Sequence, residues 1–197
     1  MIFPNRISKE EVNQLPLQQY DGEIHIIADP KDVSAAMAEI RRHPIAGWDT
    51  ETKPAFRRGQ NHPTALLQIA VPGYAFLFQL LKTGVTHDMV RFFEDPAIKK
   101  PGVAILDDVR GLKKQRPFEP QGVVELADVA TALGIETTGA RNLTAIFLNF
   151  RISKNQQTSN WEKDPLSEAQ LRYAATDAWI CLEMYSYLER GGYLENL

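Results

Sequence analysis

The chain alternates between short unbroken apolar runs and stretches in which apolar residues recur at helical spacing. Ile24-His25-Ile26-Ile27 predicts a short strand. Asp29-Pro30 then opens a helix, with Asp29 as N-cap and Pro30 at the first helical position; Val33, Met37 and Ile40 mark its buried face and His43-Pro44 stops it. A second strand begins at Ile45 and runs through Gly47-Trp48-Asp49-Thr50-Glu51 towards Pro54. Residues 65–71 and 74–80 predict two strands joined by Pro72-Gly73, a hairpin signal. Thr86 caps a helix to about Glu94, buried through Met89, Val90 and Phe93. Val103 to Leu106 predicts a short buried strand that runs straight into Asp107-Asp108, followed by a basic helix carrying Arg110, Lys113, Lys114 and Arg116. Val123 to Leu126 predicts a further strand, residues 128–133 and 142–150 two helices, and residues 151–165 a polar loop. Ser167 caps the longest helix, which extends to about Arg190.

Residues 1–22 are polar and interrupted by Pro4 and Pro16, so they read as an N-terminal arm laid over the domain. Residues 23–197 read as a single domain, with no repeat, low-complexity tract or linker. Strands flanked by helices, with a hairpin early on, imply an α/β protein whose sheet is mixed rather than wholly parallel.

Composition narrows the classes of function. At 197 residues and 44% hydrophobic content the chain can bury a core of one domain. A net charge of −3, from 22 basic and 25 acidic residues, argues against coating long nucleic acid through a general positive field. It is compatible with gripping a single end, where bound metal ions add local positive charge. Cys181 is the only cysteine, which excludes an intrachain disulfide and a cysteine-based zinc site. No signal peptide and no apolar run of about 20 residues is present, so a soluble, intracellular, cytoplasmic protein with no membrane partner is expected. Nothing in the pattern identifies a protein partner.

The chemistry starts from Asp49 and Glu51. On a strand, residues i and i+2 share a face about 7 Å apart, so these two carboxylates project together while Trp48 and Thr50 face the other way. Adjacent carboxylates resist joint ionisation unless a cation lies between them, and oxygen donors suit Mg²⁺ or Mn²⁺. Asp108 follows the predicted strand at 103–106, at the carboxyl end where open α/β sheets place their sites. It could also be the N-cap of the helix that follows, a role open to Asp107 as well. Tyr173 and Asp177 lie four apart in the last helix, on one face and roughly 6 Å apart along its axis. Ala174 and Ala175 between them permit close packing on the sheet. The four histidines show no ligand spacing.

In this order, Asp-x-Glu, Asp, Tyr-x-x-x-Asp, the chain resembles the DEDDy family of 3′–5′ exonucleases, which includes ribonuclease D and the Werner syndrome exonuclease. The motifs stand here as Trp48-Asp49-Thr50-Glu51, as Gly102-Val103-Ala104-Ile105-Leu106-Asp107-Asp108, and as Ser159-Asn160-Trp161 through Pro165-Leu166-Ser167 to Tyr173-Ala174-Ala175-Thr176-Asp177-Ala178. Ala104 departs from the glycine that many relatives carry. The chain also ends soon after the last helix, so the C-terminal and helicase domains of some relatives are expected to be absent.

The resemblance implies a ribonuclease H-like fold, a five-stranded mixed sheet with helices on both faces. It implies two divalent ions, Mg²⁺ or Mn²⁺, about 4 Å apart and flanking a scissile phosphate. Asp49 would bridge both ions, Glu51 and Asp177 would complete the site that generates hydroxide, Asp108 would hold the second ion, and Tyr173 would orient the attacking water. The implied partner is nucleic acid with a free 3′ end, single-stranded or frayed, and the implied product is a nucleoside 5′-monophosphate. The alternative is the same fold with catalysis lost, serving as a nucleic-acid-binding or adaptor module; the presence of all four acids favours the enzyme. Phe56, Arg57 and Arg58 follow the first motif as candidate substrate contacts, stacking a base and tracking the backbone, although Phe56 could instead tuck onto the core. Arg110, beside Asp108, is a further candidate, or part of a solvated basic face.

Overall fold

The computed structural model describes residues 3–57 and 59–195. In chain order the elements are α1 (Lys9–Gln14), β1 (Glu23–Ile27), α2 (Pro30–Ile40), β2 (Gly47–Thr52), β3 (Thr64–Val71), β4 (Tyr74–Gln79), the single turn α3 (Leu80–Thr83), α4 (His87–Phe93), β5 (Lys100–Gly102), α5 (Leu106–Gln115), β6 (Val123–Glu125), α6 (Leu126–Ala132), α7 (Ala140–Leu148) and α8 (Glu168–Arg190).

β2, β3 and β4 form an antiparallel meander, and β1 adds in parallel to β4, giving the order β1-β4-β3-β2. Every residue of β3 is buried, as the centre of a sheet covered on both faces requires. Gly73 takes a φ of 89° in the two-residue turn between β3 and β4, which glycine adopts without a Cβ clash. β5 and β6 form a parallel pair beyond β2. The expected five-stranded sheet is thus a mixed four-stranded sheet and a two-stranded pair. A single parallel bridge between Ile45 and Lys99 joins them, along with the Trp48 indole N–H donating to the Lys100 carbonyl at 3.1 Å. Backbone pairing at this junction runs through Lys99, whose N–H donates to the Pro44 carbonyl at 2.8 Å and whose carbonyl accepts from the Ala46 N–H at 2.9 Å, so the two sheets join just before β2 and β5 begin.

The strand expected at 103–106 lies earlier, at residues 100–102. Ala104 breaks it, with a φ of 59° in the left-handed region that costs a residue with a side chain about 1–2 kcal/mol. That backbone geometry explains why glycine suits the position. α5 starts at Leu106, with Ile105 as N-cap and no side-chain cap; neither Asp107 nor Asp108 fills that role.

One face of the sheet packs on α2 and α4 through Trp48, Leu67, Ile69, Phe78, Phe92 and Phe93. The other carries α8, whose Ala174, Ala175 and Ala178 are fully buried. Gly47 lets α8 approach β2 closely: a Cβ there would lie 2.3 Å from the Ala178 carbonyl oxygen and 2.4 Å from the Leu182 nitrogen. Behind α8, Leu143, Phe147, Met184 and Leu188 form a second core that also takes in Phe3.

The arm contains a helix that the sequence pattern did not suggest, α1, started by a reciprocal cap between Ser8 and Glu11. The arm is tied down by the Gln18 N–H to the Arg151 carbonyl at 2.9 Å, the Arg151 N–H to the Pro16 carbonyl at 2.9 Å, and the Tyr20 N–H to the Thr176 hydroxyl at 2.9 Å. No helix among the described residues is long and apolar enough to cross a membrane.

Candidate active site

Close packing of α8 on β2 creates the site. Asp49 and Glu51 project from one face of β2, and Asp177 comes down onto them from α8; one oxygen of each lies within 4.8 Å of the others. Tyr173, one turn before Asp177, lines the same cavity of about 360 Å³. Asp108 stands alongside rather than within the trio. It sits in the first turn of α5 and its carboxylate accepts a hydrogen bond from the Thr50 hydroxyl. Thr50 therefore does not merely turn away from the site, as strand alternation suggested: it lines the cavity and its hydroxyl holds Asp108 next to β2.

The electrostatics are those of negative charge held out of water. Burial pushes Asp49 well above the usual carboxylate range, and Asp108, Asp177 and Glu51 push it further. Burial, then Asp177 and Asp108, raise Glu51 to about 9. Burial raises Asp108 against the hydrogen bond from Thr50. Asp177 rises to about 7 through burial, held back by a hydrogen bond from Tyr173 and by the charge of Lys154. Burial and the neighbouring carboxylates also push the Tyr173 phenol up, so it remains a protonated donor. Left alone, such a cluster binds protons. A hard divalent cation satisfies the same oxygens at neutral pH, so the donor set fits Mg²⁺ or Mn²⁺.

The same cavity also carries positive charge that the sequence motifs did not single out. Arg141, in the first turn of α7, and Lys154 both line the cavity. Arg141 donates to Asn13 of α1 at 2.6 Å, while its Nε is buried without a partner. Nothing local in the sequence marks these two, because they enter the cavity from a helix start and a loop far from the acids along the chain.

Phe56, Arg57 and Arg110 lie outside the cavity lining. Phe56 is 81% exposed, so it does not tuck onto the core; Arg57 is exposed beside it, and Arg58 lies outside the described residues. Arg110 pairs with Asp107 at 2.9 Å and lines a separate groove of about 640 Å³ with Lys114, Asn61 and His62. The ends of the 53–62 loop are fastened to the segment before α8 by one carboxylate. Glu162 accepts from Lys53 at 2.8 Å and lies 2.8 Å from His62 Nδ1.

Residues 24–191 match a family model described as 3′–5′ exonuclease. Among curated proteins, the chain is 29% identical to the Exonuclease mut-7 homolog of Homo sapiens over 211 residues, covering 92% of this chain and 24% of that protein. It is 29% identical to the bifunctional 3′–5′ exonuclease/ATP-dependent helicase WRN of Mus musculus over 186 residues, covering 89% of this chain and 13% of that protein. It therefore spans a quarter or less of the length of these two relatives. Among solved structures, the fold is similar to the Aedes aegypti Nibbler EXO domain, with a TM-score of 0.78 at 21% identity over 91% of this chain and 94% of that one. Escherichia coli RNase D follows at a TM-score of 0.76 and 21% identity, over 87% of this chain and 47% of that one. These neighbours carry the ribonuclease H-like exonuclease fold.

Proposed function

The chain belongs to the 3′–5′ exonuclease family, and on that premise we propose that it is a DEDDy-type enzyme that hydrolyses phosphodiester bonds from the 3′ end of DNA or RNA, one nucleotide at a time. The observation that carries this reading is the meeting of Asp49, Glu51 and Asp177, within 4.8 Å of one another, in a cavity also lined by Tyr173. Asp49, Glu51 and Asp177 would hold one divalent cation, and Asp49 with Asp108 a second; when bound, the pair supplies hydroxide at neutral pH and neutralises charge on the leaving oxygen.

The chain's own groups do the rest. The protonated Tyr173 phenol both donates and accepts, so it can orient a water against the phosphorus without adding charge. The bond from phosphorus to the 3′ oxygen breaks, leaving a nucleoside 5′-monophosphate and a new 3′-hydroxyl. Lys154 and Arg141, which line the same cavity as the carboxylates, balance the charge of the phosphate that enters it. The exposed Phe56 stacks on a base, while Arg57, Arg58 as the next residue in sequence, and Arg110 track the backbone. With a net charge of −3 and only local cations, the protein acts on single-stranded or frayed ends with low processivity.

The test pairs a 5′-labelled single strand with a covalently closed circle of the same sequence, in Mg²⁺ or Mn²⁺. The linear strand shortens stepwise from its 3′ end, the circle stays intact, and Asp49→Asn removes the activity. Cutting of the circle, or equal turnover by Asp49→Asn, overturns the reading.

A further inference from the structure

Glu125 ends β6 opposite Gly102 in the parallel pair, and its carboxylate reaches the turn that follows β5. Its Oε1 accepts from the Ala104 N–H at 2.8 Å and its Oε2 from the Ile105 N–H at 2.8 Å. The same Oε1 accepts from the Ala127 N–H at 3.0 Å, which caps α6. The turn held in this way is the one in which Ala104 takes a φ of 59°. No side chain caps α5 from within, since the N-cap residue is Ile105.

Asp108 follows three residues after Ile105, so the direction in which α5 leaves this turn decides where its carboxylate arrives. The Thr50 hydroxyl meets it there. Charge is not what Glu125 contributes, because its carboxylate raises Asp108 further rather than easing it. Its contribution is geometric: one carboxylate fixes two successive amides of a strained turn and ties them to the start of α6.

We infer that Glu125 is a positioning residue for Asp108, its two-oxygen grip on the Ala104 and Ile105 amides holding the turn that delivers Asp108 beside Asp49. In its activity readout this rests on the exonuclease reading above. The grip matters in this chain because residue 104 is alanine. Glycine would enter the left-handed conformation without strain, whereas alanine is strained there and drifts out of it unless the amides are held.

The test is Glu125→Gln, which keeps the size and removes one accepting oxygen. Exchange of the Ala104 and Ile105 amides, followed by NMR, accelerates by about 10-fold or more. Turnover on a single-stranded oligonucleotide falls by about 30-fold, with KM within about 2-fold of wild type, as for a lost transition-state alignment. Adding Ala104→Gly to Glu125→Gln restores most of kcat, while Ala104→Gly alone leaves it near wild type. A generally loosened fold would not be rescued by a glycine at this one position. Unchanged amide exchange in Glu125→Gln overturns the inference, as does a kcat that either stays at the wild-type value or is not relieved by Ala104→Gly. If the wild-type chain degrades no oligonucleotide, the exonuclease reading falls, and amide exchange alone supports or overturns the grip.

Discussion

Without a divalent cation, the carboxylate cluster makes the fold weaker as pH rises. Glu51 is pushed from 4.5 to about 9 by burial and by the carboxylates of Asp177 and Asp108, and burial pushes Asp177 from 3.8 to about 7. Both shifts are upward, so the folded chain keeps protons that the unfolded chain has already released. The associated stability is fully present below about pH 4. It is lost as pH rises, up to about 7 for Asp177 and about 9 for Glu51, at about 1.4 kcal/mol per pH unit for each group. For Glu51 alone the whole span amounts to about 6 kcal/mol. Water entering the cavity with the first ionised carboxylate reduces this, and a net loss of about 2–3 kcal/mol between about pH 5.5 and 8.5 is expected. For a chain of this length that lowers the melting temperature by about 5–10 °C. Mn²⁺ at about 100 times its Kd returns about 2.7 kcal/mol, and more at the alkaline end, where it displaces fewer protons. The assay is thermal denaturation followed by circular dichroism, in EDTA and in Mn²⁺, for the wild type, Glu51→Gln and Asp177→Asn. Both variants should flatten the EDTA slope. A melting temperature in EDTA that is level or rises over this range, or a slope unchanged in both variants, refutes the reasoning.

Tyr173→Phe should lower kcat by about 100-fold while Mn²⁺ still raises the melting temperature as in the wild type, whereas Asp49→Ala should abolish both; loss of the Mn²⁺ effect in Tyr173→Phe would make the phenol a ligand. Phe56→Ala should raise KM for single strands by about 10-fold, the lower end of base stacking, without changing the melting temperature, since the ring is 81% exposed; an unchanged KM removes it from the substrate path. Lys100 is fully buried and donates to the carbonyls of Asp95 and Ile98 at 2.6 and 2.7 Å, so Lys100→Met should destabilise the fold by about 2–3 kcal/mol in urea titration while leaving the proposed nuclease turnover of the folded protein unchanged.

Much of the architecture was legible because its signals are local. Asp29-Pro30 marks α2, Pro72-Gly73 marks the hairpin, Thr86 marks α4 and Ser167 marks α8; each is a cap or turn in which a side chain or a fixed φ acts on backbone within a few residues. The pairing of Asp49 with Glu51, and of Tyr173 with Asp177, followed from strand and helix periods in the same way. The short strand before Asp108 was misplaced, because apolar content alone suggested 103–106 while the left-handed backbone at Ala104 ends the strand at 102. Helix α1 was missed because its single buried side chain, Val12, leaves almost no helical period to detect.

What only the tertiary structure decided are the relations between segments far apart along the chain. Asp177 meets Asp49 and Glu51 because Gly47 admits the backbone of α8, a contact that exists only once strand and helix are packed. Asp108 is anchored by Thr50 and delivered by a turn held from β6, and Arg141 and Lys154 reach the cavity from α7 and the loop after it. Periodicity says which way a side chain points on its own element, but not what lies opposite. That is set by how closely the elements pack, so the sequence marked the acids as candidates while the fold decided that Asp49, Glu51 and Asp177 meet.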